Sequence, residues 1–289
     1  MVNFLKYRWL YFLISAIVIA SGFFSMLKWG FHYSIDFVGG TNIEYQTNKK
    51  ISAGQLKPIL TKEKIAIIDL QIKDKFIFLR TSPLEEKKEL SLRQAIEKNL
   101  KIKLNLIRLE TVGPTLGKET MTKTFIAGFL GILGILIYMS FAFKGFNYAL
   151  SAVLAMIHDF FVVLGSYSLL SHFLGAQLDT LFVTAVLTTM SFSVHDTIVI
   201  FDKVREYFET EGKKDIEYFA NKALTETMVR SINNSMTIVF MLLALLLVGG
   251  TTIRFFIAAL LIGTITGTYS SPFVATPILV WLEKRKKND

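Results

Sequence analysis

Long apolar runs flank a stretch in which apolar and polar positions alternate over short distances. Runs with few charges occupy residues 9–27, 125–143, 148–170, 180–201, 230–249 and 256–281. About 20 apolar residues at 1.5 Å each cross the hydrocarbon core of a bilayer, so these runs predict six spans. Residues 30–120 differ: charge is frequent and no run is long enough to cross. Alternation and β-branched residues predict strands over 41–46, 65–72, 76–81 and 103–111, and helices over 53–63 and 85–100. Lys73, Asp74 and Lys75 form the expected hairpin turn between the middle strands. The order β-α-β-β-α-β predicts a ferredoxin-like α+β domain between the first and second spans. The expected division is 1–29 (N-terminus and first span), 30–120 (α+β domain), 121–282 (spans two to six) and 283–289 (basic tail). Within the third segment, residues 203–229 read as a polar loop with a partly amphipathic helix.

Composition sharpens this picture. The chain has 289 residues, 52% of them hydrophobic, which excludes an ordinary soluble domain. Cysteine is absent, so disulfide frameworks and thiolate metal sites are excluded. The first apolar run exceeds the ~7–15 residues of a signal peptide core and lacks a small-x-small cleavage pattern, so it reads as a retained span. Trp9, Tyr11 and Trp29 would mark its two interfaces. Six spans put both termini on one side, together with Lys6, Arg8, Lys144, the bases of 203–230 and those of 284–287. The positive-inside rule makes that side the cytoplasm and places 30–120 outside. With no nucleic-acid motif present, the net charge of +9 reads as orientation and lipid headgroup contact.

Charge inside the spans supplies the candidate chemistry. Asp196 sits within the fourth apolar run, preceded by His195. A carboxylate at the centre of a span costs roughly 2.5–3.5 kcal/mol on insertion scales, so such groups are kept for function or for packing. At ~100° per residue Thr189, Ser193 and Asp196 share one helix face. Thr184, Thr188, Ser191 and His195 share a second, and neither face suits lipid. His158 and Asp159 lie near the middle of the third span, as a proton relay or as a static buried ion pair. Arg230, at the start of the fifth span, is either the counter-charge that stabilises ionised Asp196 or a snorkelling anchor at the headgroups. Small residues mark packing stripes: Gly128, Gly131 and Gly134 in the second span, and Gly263, Gly267 and Ser271 in the last. Pro272 and Pro277 should bend that last helix.

Four motifs carry a resemblance. Ser193-Val194-His195-Asp196-Thr197-Ile198-Val199 continues into Asp202, Lys203, Val204, Arg205 and Glu206. Asp36-Phe37-Val38-Gly39-Gly40-Thr41 opens the α+β stretch, and Val112-Gly113-Pro114-Thr115-Leu116-Gly117 closes it. The paired glycines are not a phosphate loop, because no G-K-[ST] follows. Arg230-Ser231-Ile232-Asn233-Asn234-Ser235-Met236-Thr237 opens the fifth span. Together with the His158-Asp159 pair, these resemble the SecF family, membrane subunits of the bacterial protein-export machinery. His195 departs from the family pattern, in which asparagine precedes the aspartate.

The resemblance implies a non-enzymatic subunit of the cytoplasmic (inner) membrane, related to the resistance-nodulation-division transporters. It implies work with SecD, the SecYEG channel, the SecA motor and the translocating preprotein, with YajC or YidC as further partners. It implies no cofactor beyond a coupling ion, H+ or Na+. The motif glycines, Pro114, Asp36, Asp202, Arg205 and Asn233 then count as structural positions, and Asp196, Arg230, His195, Asp159 and His158 as ion-coupling ones. Two other readings stand beside it: a small-molecule or lipid exporter of that superfamily, and a scaffold that only holds an export complex together.

Overall fold

The computed structural model describes residues 2–142, 145–212 and 215–288. Lys144 of the expected inner turn, Lys213 and Lys214 of the polar stretch, and Asp289 of the tail lie outside the described residues. The chain folds as two compact units, Tyr33–Ile126 and the remainder.

In chain order the first elements are α1 (Arg8–Lys28), a two-residue strand β1 (His32–Tyr33), α2 (Ile35–Val38), β2 (Gly40–Thr47), α3 (Ala53–Lys62), β3 (Ile67–Lys73), β4 (Phe76–Thr81), α4 (Glu86–Leu100) and β5 (Leu104–Val112). The four longer strands form one sheet in the order β3-β4-β2-β5. All its pairings are antiparallel. This is the predicted ferredoxin-like arrangement. Ile43 and Tyr45 of β2 and Ile77 and Leu79 of β4 point into the core, against Leu56 and Leu60 of α3 and Leu92 and Ile96 of α4. Each such side chain contributes about 1.5–3 kcal/mol by leaving water. The hairpin between β3 and β4 turns at Asp74, whose φ of 53° lies in the left-handed region that Asp tolerates. Ser52 and Gln55 form a capping box that starts α3.

The second unit is a helical bundle of α1 with the part of α5 (Pro114–Ala142) from Ala127 on, α6 (Phe146–Leu174), a two-residue strand β6 (Gln177–Leu178), α7 (Thr180–Glu211), α8 (Ile216–Val248), α9 (Arg254–Ser270) and α10 (Thr276–Asn288). A π-helical turn, Ser271–Ala275, joins α9 to α10. Among the described residues, six helical stretches are long and apolar enough to cross a membrane. The bend expected at Pro272 takes the form of this π turn, which the missing amide of a proline favours.

One boundary differs from the pattern reading. Most of the stretch 203–229, expected as a polar loop with a partly amphipathic helix, is helical: α7 continues to Glu211 and α8 begins at Ile216. Its polar composition hides a helical hairpin whose inner faces bury Val204, Tyr207, Phe219, Ala220 and Ala223 around Leu5 and Val280. Arg230 therefore lies well inside α8 rather than at its start. Another expectation holds only loosely. Gly128 and Gly131 of α5 face the side chains of Val183 and Leu187 on α7, and a Cβ on Gly134 would meet nothing within 4 Å.

Candidate functional site

The two glycine motifs meet. Gly39 has φ 76°, and a Cβ there would stand 2.8 Å from the Cα of Pro114. A Cβ on Gly117 would stand 2.7 Å from the amide nitrogen of Gly39. Backbone thus packs on backbone where the α+β unit is entered and left, which only glycine permits. Asp36 lies in the first turn of α2, capped by Ser34. Gly113 precedes the first residue of α5, Pro114, a position where proline suits a helix. Asp202 and Arg205 pair with each other at 3.0 Å on the hairpin's surface.

Inside the bundle, α9 is pressed against α7. A Cβ on Gly263 would lie 2.5 Å from Thr189, and one on Gly267 would lie 2.8 Å from the Cβ of Ser193. These contacts set Thr189, Ser193, Asp196 and Thr197 in the protein interior, all buried. The predicted face is therefore the packed one. Thr197 Oγ1 lies 2.8 Å from Ser271 Oγ of the π turn, and Ser271 Oγ donates to the Ser193 carbonyl at 3.2 Å.

Asp196 is only 4% exposed. Its Oδ2 accepts a hydrogen bond from Ser231 Oγ of α8 at 2.6 Å. The expected pairing of Asp196 with Arg230 is not what the structure shows. Arg230 is exposed, and among the described residues it forms no ion pair with Asp196. At 100° per residue the position before Ser231 turns away, so Ser231 and not Arg230 reaches the carboxylate. Arg230 instead heads an exposed polar row with Asn233, Asn234 and Thr237. On α7 the second predicted face, Thr184, Thr188, Ser191 and His195, is likewise exposed. Polar rows on the outside of two membrane helices are costly against lipid.

His158 and Asp159 are both buried and bonded to each other, Nδ1 to Oδ1, at 2.8 Å. Asp159 Oδ2 also accepts from Ser193 Oγ of α7 and, at 2.7 Å, from Ser270 Oγ of α9. Ser15 and Ser270 escape pattern reading. Their only signal is a small hydroxyl in the middle of an apolar run, in Ser270's case next to a second serine and Pro272. No group of three or more His, Cys, Asp or Glu among the described residues is placed to hold a metal ion.

Comparison with known proteins extends over the whole chain. Residues 92–285 match the family model for the protein export membrane protein SecD/SecF, C-terminal, and residues 24–51 match the SecD/SecF GG motif. The chain is 36% identical to the protein translocase subunit SecF of Anaerolinea thermophila, covering 97% of this chain and 94% of that one. It is 35% identical to the protein translocase subunit SecF of Thermobaculum terrenum, covering 99% and 95%. Among solved structures, SecDF of Thermus thermophilus, a translocon-associated membrane protein, superposes with a TM-score of 0.86 at 28% identity. That match covers 98% of this chain and 39% of the SecDF chain.

Proposed function

This chain belongs to the SecD/SecF family of protein export membrane proteins, and from that premise we propose that it is the SecF subunit of the Sec export machinery, coupling an ion gradient to preprotein translocation. The buried carboxylate of Asp196, held by Ser231 inside a membrane bundle, carries the ion-coupling part of this reading. A proton or sodium ion arriving at Asp196 neutralises it and weakens its hold on Ser231, which changes how α7 and α8 prefer to pack. Each elementary charge that crosses the membrane releases about 2.3 kcal/mol per 100 mV, enough to bias an element with two close-lying arrangements. The coupling ion in this reading is H+ or Na+, and His195 adds an imidazole beside Asp196 where the family pattern has asparagine.

SecD is the partner that fits the exposed polar rows of α7 and α8. Support comes from the SecDF neighbour, of which this chain matches a 39% share. A companion bundle would cover His195, Asn233 and Arg230, and Arg230 would then act across the subunit boundary rather than on Asp196 directly. Both termini lie in the cytoplasm and Tyr33–Ile126 on the outer side of the inner membrane, where it engages the emerging preprotein. The SecYEG channel and SecA motor complete the assembly, with YajC or YidC as accessory contacts.

The test is export of a reporter preprotein in vesicles carrying Asp196→Asn, with the gradient present and collapsed and the membrane levels of both subunits followed. We expect assembly to persist and the gradient-driven part of export to fall at least tenfold. Wild-type gradient dependence in the variant would end the coupling role of Asp196. Loss of assembly would assign Asp196 to packing and favour a scaffold.

A further inference from the structure

A second buried acid–base site lies on α6, and its surroundings differ from those of Asp196. Asp159 is held by hydroxyls of α7 and α9, as a purely structural carboxylate would also be. The far side of His158 is what sets the pair apart. His158 Nε2 lies 2.9 Å from Ser15 Oγ on α1, and Ser15 Oγ lies 3.5 Å from Tyr269 Oη on α9. Tyr269 Oη donates to the carbonyl of Tyr11 at 2.8 Å. Tyr11 is three residues from the first residue of α1, about 4.5 Å along the helix axis. A row of exchangeable hydrogens therefore runs from His158 through Ser15 to the Tyr269 hydroxyl, which the Tyr11 carbonyl holds within a turn of the start of α1.

The direction of these bonds limits the proton count. With the Tyr269 hydrogen on Tyr11, Ser15 gives its one hydrogen either to Tyr269 or to His158. In the first arrangement Nε2 carries a hydrogen, and the pair holds a further proton between Nδ1 and Oδ1. In the second, Nε2 is bare and the pair has one proton fewer. Passing between them moves the Nε2 proton to Ser15 Oγ, the Ser15 proton to Tyr269 Oη, and the Tyr269 proton to water at its half-exposed end. Uptake is the reverse. The titratable group facing the pair is Tyr269 from α9; α1 presents Ser15, and α7 presents Ser193, with Asp196 three residues further on. From α10, Glu283 reaches α6 only at its end, at Asn147.

We propose that His158 and Asp159 form a second proton-binding site of this chain, separate from Asp196 and opening toward the cytoplasmic end of the bundle through Ser15 and Tyr269. The side to which it opens rests on the topology given above; proton binding itself does not. Losing the proton leaves a net negative charge on the pair and tightens its hold on Ser193 and Ser270. Those two hydroxyls sit one turn from Asp196 and at the edge of the π turn Ser271–Ala275, a wide turn whose bonds shift easily.

The chain has four histidines, so 15N-histidine spectra of the full chain with its partner subunit in lipid nanodiscs resolve the site. His158→Gln assigns the signal. We expect the His158 signal to change protonation state as the pH is varied over the range in which the complex stays assembled. The midpoint should move by at least about one unit in Asp159→Asn, the range a neighbouring charge commands. If Asp159→Asn does not accumulate, Ser270→Ala should move the midpoint instead. Ser15→Ala should leave the proton bound but slow its exchange with solvent. A His158 signal that keeps one protonation state throughout, or a midpoint indifferent to these changes, overturns the proposal. Running the same titration in Asp196→Asn separates the two sites: an unchanged His158 titration is expected whether or not gradient-driven export is lost, and a His158 signal that no longer changes with pH would show that there is one site and not two.

Discussion

Glu89 is 3% exposed in the α+β unit, and one hydroxyl explains how it survives there. Tyr45, fully buried on β2, donates to Glu89 Oε1 at 2.9 Å, while Arg93 lies 3.3 Å from the same oxygen. Burial first, then the charge of Glu89, push the Tyr45 hydroxyl well above its ordinary value of 10.0. The folded domain thus keeps a proton that the unfolded chain gives up above pH 10.0. Its contribution to stability is fully present below that pH and is lost as pH rises beyond it toward the folded value. Tyr45→Phe takes one donor from Glu89, so it should cost about 1 kcal/mol at neutral pH. It should also make stability above pH 10.0 less sensitive to alkali than in the unaltered chain. Resistance of residues 33–126 to protease in intact membranes, followed across pH for both proteins, checks both signs. Equal alkaline sensitivity would show that Tyr45 ionises as freely folded as unfolded.

At the scale of elements, the contact of α7 with α9 is the one on which both buried carboxylates depend. Gly263 and Gly267 let the backbone of α9 lie directly on Thr189 and Ser193. Gly263→Ala would bring a methyl group 2.5 Å from the Cβ, Cγ2 and Oγ1 of Thr189, too close for side-chain rotation to relieve. Overpacking of this kind costs about 1–3 kcal/mol. The variant should lower the thermal midpoint of the purified subunit, and Thr189→Gly should restore most of the loss by vacating the same space. A Gly263→Ala protein as stable as the original would mean that α9 sits further from α7. A similar glycine crossing joins α1 to α6, where Gly22 faces Gly165 and Ser25 Oγ meets Ser168 Oγ at 2.8 Å. It holds α1 beside α6, the arrangement that gives His158 its contact with Ser15.

For the whole molecule, what matters is which surface meets lipid and which meets another protein. α5 exposes Phe129 and Phe141, an apolar surface that hydrocarbon satisfies. α7 and α8 expose, beside apolar side chains such as Phe240 and Leu247, hydroxyls, amides, an imidazole and a guanidinium. Because the chain has no cysteine, single replacements report on these faces cleanly. Asn233→Cys and Ser191→Cys should cross-link to cysteines in a co-expressed SecD, whereas Phe129→Cys should not. Cross-linking from Phe129→Cys alone would move the partner surface to α5.

Much of this architecture is set by local rules that a linear pattern records. Apolar run length fixes where a helix can cross, and side-chain alternation fixes which strand face is buried, so the six spans and the β-α-β-β-α-β order were legible in the sequence. Asp196, His158 and Asp159 were legible too, because a charge in an apolar run stands out. Their partners were not. Whether Asp196 meets Arg230 or Ser231 turns on a single step of 100° around α8, and on where that helix begins. The polar composition of 203–229 concealed that start, since a short helical hairpin buries few side chains and shows its charges outward. Ser15, Ser270 and Tyr269 come to His158 and Asp159 from helices more than 100 residues away in the chain. Only the packing of α1, α6, α7 and α9 brings them together, because a hydroxyl in an apolar span carries no mark of the group it will face.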